Sequence, residues 1–597
     1  MRLNGKILAL FFMLFSLVSF GQTQPKGTKE KTTRELQRKQ AVLILKNNLL
    51  NSKSIANKYQ QTDVIAQAFL ALWNEDRRFA TDFLMESIKS DLKSYESLLE
   101  KESEEKSEEK EELAYSINTK IKALAKKEVA AADSLMKEFI RMKSNEILSQ
   151  QDLNQRMKIA MEGFDPENPQ HLLLMTQIIE IGIPDIFPKF IVDLSLKKPD
   201  VANQIVQQAI RNLSSRNSYK LRHAILISTL VFKENMLLIP VLEENSDEFF
   251  VLTTPLADAP KLRNSDNPET FRNLITNFLS SCIRFFQNKL QDSVNTGFNE
   301  RNEVFQAYFL LKKIQAYSNT LNLPQDAWAG IETQLSLQCQ QANLSSQILS
   351  DVKAYAERLA FSNNPLAIDD GTTSLKKAEE ATDPRQKIIH LIDAVVLMIQ
   401  RRKFDEAEKK ISEIPIEELR KPLKNFLNLQ LSLVYLDEKN WLDFEKQVSQ
   451  IDDETVKTYL YLKAIEKNPK EIRYSLELRK SIEKIDNPTT KTAAYFTLVS
   501  TLLKLKHKDF DTVFFDALKA LNQTPDYEEQ PFGVEIKIIP LERIIFASYF
   551  QENAFRDTFA NLAKRNWEIA KVRSSDIKAQ GLRAIAEVTA ASAMLEQ

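Results

Sequence analysis

The sequence predicts an all-α protein built as a stack of antiparallel helical hairpins, an α-solenoid. Three observations predict it. One apolar pattern recurs four times in the last third of the chain: Phe404/Ala407/Ile411/Ile414, Trp441/Phe444/Val448/Ile451, Ser475/Leu478/Ile482/Ile485 and Phe510/Val513/Ala517/Ala520, at intervals of 37, 34 and 35 residues. Steps of 3, 4 and 3 put each set on one helix face, and a period near 35 marks stacked helical hairpins. Second, only 10 glycines occur in 597 residues. Tight β-turns depend on positions with positive φ, so a sandwich or barrel and Gly-rich phosphate loops are disfavoured. Third, Leu, Lys, Glu, Ala and Gln, all good helix formers, are abundant.

The chain opens on a leader. Residues 1–6 carry Arg2 and Lys6, residues 7–20 are apolar apart from Ser16 and Ser19, and Ser19-Phe20-Gly21 places small residues before a cleavage point between Gly21 and Gln22. This is the form of a secretory signal peptide. The rival reading, a membrane anchor, asks a helix of about 21 Å to span a core of ~30 Å. The expectation is a secreted or periplasmic protein with no transmembrane span once 1–21 is removed. No later apolar run is long enough to span.

Three regions follow: 22–252, 253–372 and 373–597. In the first, 62–73 and 77–99 form a hairpin, with Asp63 placed to cap its first helix. The stretch 100–112, EKESEEKSEEKEE, is an acidic insert, read as a solvated loop or overhanging helix end. Helix resumes at 114–148, breaks at Phe164-Asp165-Pro166-Glu167-Asn168-Pro169, and continues in hairpins over 171–181, 184–196, 200–213 and 219–235. Pro184 and Pro199 suit helix starts, where a missing N–H costs nothing. Segments 249–270 and 361–373, rich in Pro, Asn and Asp, bound the middle region. The last region starts its repeats near Ser374. Alternation at Val534, Ile536 and Ile538 suggests one short strand or an extended loop, too isolated for a sheet.

At Lys403-Phe404-Asp405-Glu406-Ala407 the chain resembles a tetratricopeptide-type repeat: an aromatic opens the second helix and a small residue follows three positions on. Leu391 and Ala394 suit the matching first-helix positions. The departures are Val395 beside Ala394, Ile414 at the helix end, and Phe444, Leu478 and Val513 where Ala407 sits. The resemblance implies a concave, partner-binding superhelix and carries over no binding residue.

Chemistry is sparse. His171, His223, His390 and His507 lie too far apart for metal-ligand spacing, and neither cysteine is near one. His390 falls in an apolar helix and reads as a core residue. No phosphate loop, dinucleotide fingerprint or Gly-x-Ser-x-Gly elbow occurs. Glu86-Ser87 matches the catalytic pair of soluble lytic transglycosylases but lacks the Gly-Leu-Met-Gln stretch downstream. Most of the tryptophans, Trp73, Trp328, Trp441 and Trp567, read as core. Cys282 and Cys339 can either pair across the 56 residues between them, stabilising by about 4 kcal/mol in the loop-entropy model, or stay buried thiols.

Net charge is −1, from 81 basic and 82 acidic residues. That balance argues against nucleic acid. The sequence thus points to no catalytic residue, cofactor or metal. The expected function is an exported, non-catalytic scaffold of the cell envelope that binds a protein or peptide. The alternative is an envelope hydrolase or lyase of the α/α-toroid kind. Its site would converge titratable groups with perturbed pKa values on loops 249–270, 361–373 and 523–540.

Overall fold

A computed structural model describes residues 26–597 apart from 100–106, 144–149, 163, 217, 235, 243–248, 257–267, 292–299, 321–327, 363–370, 469–471, 539–542 and 551–552. The leader and half of the acidic insert lie outside the described residues. Within them the protein is all-α, with 26 helices and four short strands.

The helices of the first region are α1 (Lys26–Asn51), α2 (Lys58–Leu72), α3 (Arg77–Leu99), α4 (Ser107–Ala125), α5 (Val129–Lys143), α6 (Gln150–Met161), α7 (Pro169–Ile181), α8 (Phe187–Ser195), α9 (Pro199–Ser215) and α10 (Leu221–Val231). The α2 helix begins four residues earlier than its apolar pattern predicts. Asn57 caps it, accepting from Gln60 N at 3.0 Å, so Asp63 lies inside the helix and is free to act elsewhere. No breaker separates Asn57 from Thr62, and the helix extends to the first good cap. Likewise Pro199 opens α9, whereas α8 starts at Phe187 with Pro188 in its first turn.

The first departure from helix comes at the end of the first region. After α10 the chain forms β1 (Met236–Leu242), paired antiparallel with β2 (Phe249–Pro255). The run Met-Leu-Leu-Ile-Pro-Val-Leu shows no helical spacing and is mostly buried. Pro240 donates no ladder bond, and its carbonyl accepts from Gln306 Nε2 at 2.8 Å. Helices α11 (Pro268–Gln291), α12 (Arg301–Thr320), α13 (Ala329–Gln341) and α14 (Ser346–Ser362) follow in the middle region. Cys282 on α11 and Cys339 on α13 are both buried in one core and stand there as free cysteines.

The last region comprises α15 (Thr372–Glu380), α16 (Pro384–Gln400), α17 (Phe404–Glu413), α18 (Glu417–Asp437), α19 (Trp441–Ser449), α20 (Glu454–Lys467), α21 (Ile472–Glu483), α22 (Pro488–Lys504), α23 (Phe510–Asn522), then β3 (Gly533–Ile538), β4 (Arg543–Tyr549), α24 (Ala554–Arg565), α25 (Trp567–Ser575) and α26 (Gln580–Leu595). Each recurring stripe lies on the second helix of a hairpin. Ala407, Ile411, Ile414, Phe444, Val448, Ile451, Leu478, Ile482, Val513 and Ala517 are buried. Even Ser475, the polar member, is 4 % exposed. Only Phe404 and Trp441, which head their helices, stay partly open. His390 is half-buried rather than a core residue, because it lies near the start of α16, before its apolar stretch.

First helices α16, α18, α20, α22, α24 and α26 pack on one another in turn, each backed by its own second helix. At α26 the chain ends, yet the row does not. The helix that backs α26 is α1, and the next first helix is α2, followed by α4 and α6. The two termini therefore complete one hairpin. One core accordingly contains residues from Ala41 to Ile159 together with Ala378 to Met594. Polar pairs stitch this seam: Asn48 Nδ2 to Glu587 (3.1 Å), Trp567 Nε1 to Gln40 (3.1 Å) and Gln580 Nε2 to Ser54 (2.6 Å). Gly581 allows the close approach: a Cβ there would sit 2.0 Å from Gln60 Oε1.

The β3–β4 hairpin also departs from expectation. The alternating strand has a partner, with a bulge between Ile536 and Lys537. It lies across the first-helix face on α18 and α20. Val534, Ile536 and Ile538 are buried there while Glu535 and Lys537 face out. Helix packing on one side replaces the further strands that a sheet would need.

Candidate binding groove on the first-helix face

Where the row of first helices crosses the seam, two cavities lie end to end. The first, about 470 Å³, sits at the N-terminal ends of α24, α26, α2 and α4. The second, about 640 Å³, follows the C-terminal halves of α26 and α2. Arg556 and Asn553 line both, so they form the waist of one groove.

Arg556 is built in from three directions. Its Nη2 donates to Asp63 Oδ2 at 2.6 Å. With the Gln67 amide turned so that its oxygen faces the guanidinium, Nη1 and Nε donate to it at 2.6 and 3.0 Å, and Gln67 in turn donates to Thr589 at 3.2 Å. Glu529 Oε2 lies 2.9 Å from Nε. Asp63 also accepts from Tyr115 Oη at 3.2 Å. Burial, then the Asp63 charge, push the Tyr115 phenol up to about 12.

Glu529 comes from the segment between α23 and β3. Asn553, the residue before α24, makes no side-chain cap. Glu529 takes that place from 24 residues upstream, its Oε1 accepting from Arg556 N at 3.1 Å. A carboxylate at a helix N-terminus meets unpaired N–H groups and the positive dipole end. Burial nevertheless raises its pKa to about 7, against the pull of Arg556 and the backbone N–H groups of Arg556 and Phe555.

Beside the groove the same face is already occupied. The β3–β4 hairpin sets Phe546 against Phe426 at 5.6 Å and is followed by Phe550, which meets Tyr459 at 5.1 Å. Tyr459 Oη pairs with Ser548 Oγ at 2.8 Å, and Lys463 Nζ lies 4.3 Å from the Phe550 ring centre.

Elsewhere, charges are spent on packing. Asp91 joins α2, α3 and α4: it accepts from Lys120 (2.5 Å), Ser116 (2.6 Å) and Lys58 (2.9 Å). Burial opposes its ionisation, but those partners hold its pKa below the usual carboxylate range. Lys313 and Glu234, both fully enclosed, pair at 2.7 Å across the boundary of the first and middle regions. Burial disfavours both charges, raising Glu234 and lowering Lys313. Glu86 and Ser87 line a separate cavity of about 320 Å³ with Lys58 and Asp91, and Glu86 is exposed. His223 is buried against Tyr219, accepts from Lys220 N at 3.1 Å, and burial lowers it to about 4. Trp328 and Trp567 are buried, as read from sequence. Among the described residues no group of His, Cys, Asp and Glu is arranged to hold a metal ion, and no helix is long and apolar enough to cross a membrane.

Sequence reasoning singled out neither Arg556 nor Glu529, and gave Asp63 a capping role it does not have. Glu529 does lie in loop 523–540, one of three named as possible carriers of perturbed groups. Arg556 meets Asp63 across 493 positions, which no local pattern signals. No known family model and no curated protein sequence matches the chain.

Proposed function

We propose that this is a non-catalytic helical-repeat scaffold of the tetratricopeptide-like α-solenoid class, exported through its leader, that binds an extended protein or peptide segment on its first-helix face. One observation carries the reading. That face already accepts an extended segment, the protein's own β3–β4 hairpin, through aromatic contacts at Phe426 and Tyr459. The groove around Arg556 continues the same face without an occupant among the described residues. Superhelical repeat proteins use such faces for extended ligands.

The test is site-specific photo-crosslinking in the native envelope. A benzophenone at Ala71, in the groove, is expected to capture a reproducible partner. One at Leu442, 78 % exposed on the opposite helix row, is expected to capture none. Equal capture at both sites, or none at Ala71, refutes the assignment.

A second reading, a hydrolase or lyase, is favoured by Glu529 alone. A carboxyl near pKa 7 in a cavity suits a general acid or base. Its engagement at the start of α24 suits a structural cap instead. Turnover lost in Glu529→Gln with partner capture retained would favour the enzyme.

A further inference from the structure

We propose that the cavity at the N-terminal ends of α24, α26, α2 and α4 is a recognition pocket for a cationic side chain, a lysine or arginine of the bound segment. This rests on the reading that the first-helix face binds a peptide.

The cavity walls carry three carboxyl groups, Asp63, Glu528 and the partly ionised Glu529, against one guanidinium, Arg556. That guanidinium is committed to Asp63 and Gln67. An anionic ligand would therefore meet net negative charge, with no uncommitted cation among the described lining residues. A cation meets the reverse.

The Glu529 carboxylate adds an independent sign. Its side chain is only 10 % exposed, and Oε2, though 2.9 Å from Arg556 Nε, has no aligned hydrogen-bond donor. The guanidinium N–H turns toward Gln67 instead. A buried carboxylate oxygen left without a donor is costly, and an ammonium or guanidinium entering the cavity supplies one.

Aromatic faces complete the pocket. Tyr59 and Tyr115 meet edge to face with ring centres 4.7 Å apart, and Tyr527 also lines the cavity. Ring faces attract cations, most strongly where water is excluded. A volume of 470 Å³ accommodates the four-carbon stem of a lysine.

The acidic insert gains a role here. Its described part opens α4, with Glu108, Glu109 and Glu111 exposed. Burial first, then the charges of Glu112, Glu528, Glu111 and Glu108, raise the Tyr59 pKa. The insert's field thus reaches the cavity mouth and favours the approach of cations.

Ligand-observed saturation-transfer NMR with the mature chain supplies the test. The probes are Ac-Ala-Ala-Lys-Ala-Ala-NH2, its Met and Glu counterparts, n-butylammonium and butyrate. The Lys peptide is expected to bind at least tenfold more tightly than the Met peptide, with the Glu peptide and butyrate silent. The pair Glu528→Gln/Glu529→Gln is expected to remove that preference, and Glu528→Gln alone, at an exposed residue, to weaken it with unchanged circular dichroism. Displacement of the Lys peptide by n-butylammonium identifies the side chain as the recognised element. Failure of n-butylammonium to displace it, equal binding of Lys and Met peptides, or a preference untouched by both variants overturns the pocket. If Ala71 crosslinking still captures a partner in that case, the scaffold reading survives and only this inference falls.

Discussion

Replacing Leu45 with Ala tests whether the two ends of the chain share one hairpin. Leu45 is fully buried on α1, in the core that also holds α26. Truncating a buried leucine costs 2–5 kcal/mol, so about 3 kcal/mol is expected here. At about 1.4 kcal/mol per decade, the opening equilibrium of that layer rises about 150-fold. Hydrogen exchange read by mass spectrometry reports this segment by segment. In a linear stack, the first helix would matter only to its sequence neighbours. With α1 backing α26, peptides covering 580–595 should lose protection together with 26–72, although over 500 residues separate them. Leu43→Ala is the control: Leu43 is 59 % exposed on the same helix, and its loss should change little. Wild-type exchange in 580–595 alongside faster exchange in 26–72 would refute the shared hairpin.

Ile411→Asp and Ile482→Asp each bury a charge in a stripe that excludes water; each should cost several kcal/mol and lower the helical signal in circular dichroism. The Glu529 carboxyl has a folded pKa of about 7 against 4.5 when unperturbed. Its contribution is therefore full below pH 4.5 and lost as pH rises through 7, by about 3 kcal/mol. His223, lowered from 6.5 to about 4, works oppositely, since its contribution is lost as pH falls from 6.5 toward 4. The diagnostic is thus the difference between wild type and Glu529→Gln, whose urea-melt stabilities should diverge progressively between pH 5 and 7.5. Breaking the enclosed pair with Lys313→Met should cost about 3–5 kcal/mol, and adding Glu234→Leu should recover much of it, as read by urea melts. Cys282 and Cys339, both raised by burial, should resist thiol reagents in the native protein and yield two thiols on unfolding, without reductant.

The stripes were legible because their partners are local. Ala407 and Ile411 meet helices within the same or the next hairpin, so spacing alone carries the information. Strand β3 showed in its alternation, but β4, Arg-Ile-Ile-Phe-Ala-Ser-Tyr, pairs only once α18 and α20 supply a surface beneath it. Strand β1 fell in the unassigned stretch between the helix predicted over 219–235 and the irregular segment from 249, because a short apolar run without period suits either structure. The groove was illegible for a different reason. Asp63, Glu529 and Arg556 are each ordinary charged residues in their own neighbourhoods. They become a site only when the termini meet, and α1 announces through Ala41, Leu45 and Leu49 that it has a partner without saying which.

That terminal pairing has a consequence for biogenesis. Helix α1 must wait for α26, over 500 residues later in the chain, before its apolar side is covered. A contact across so much chain carries a large loop-closure cost and forms late. The layer of α1 and α2 thus stays incomplete until α26 has been made, and this seam closes late rather than layer by layer. Trimming either end would strip the other of its cover.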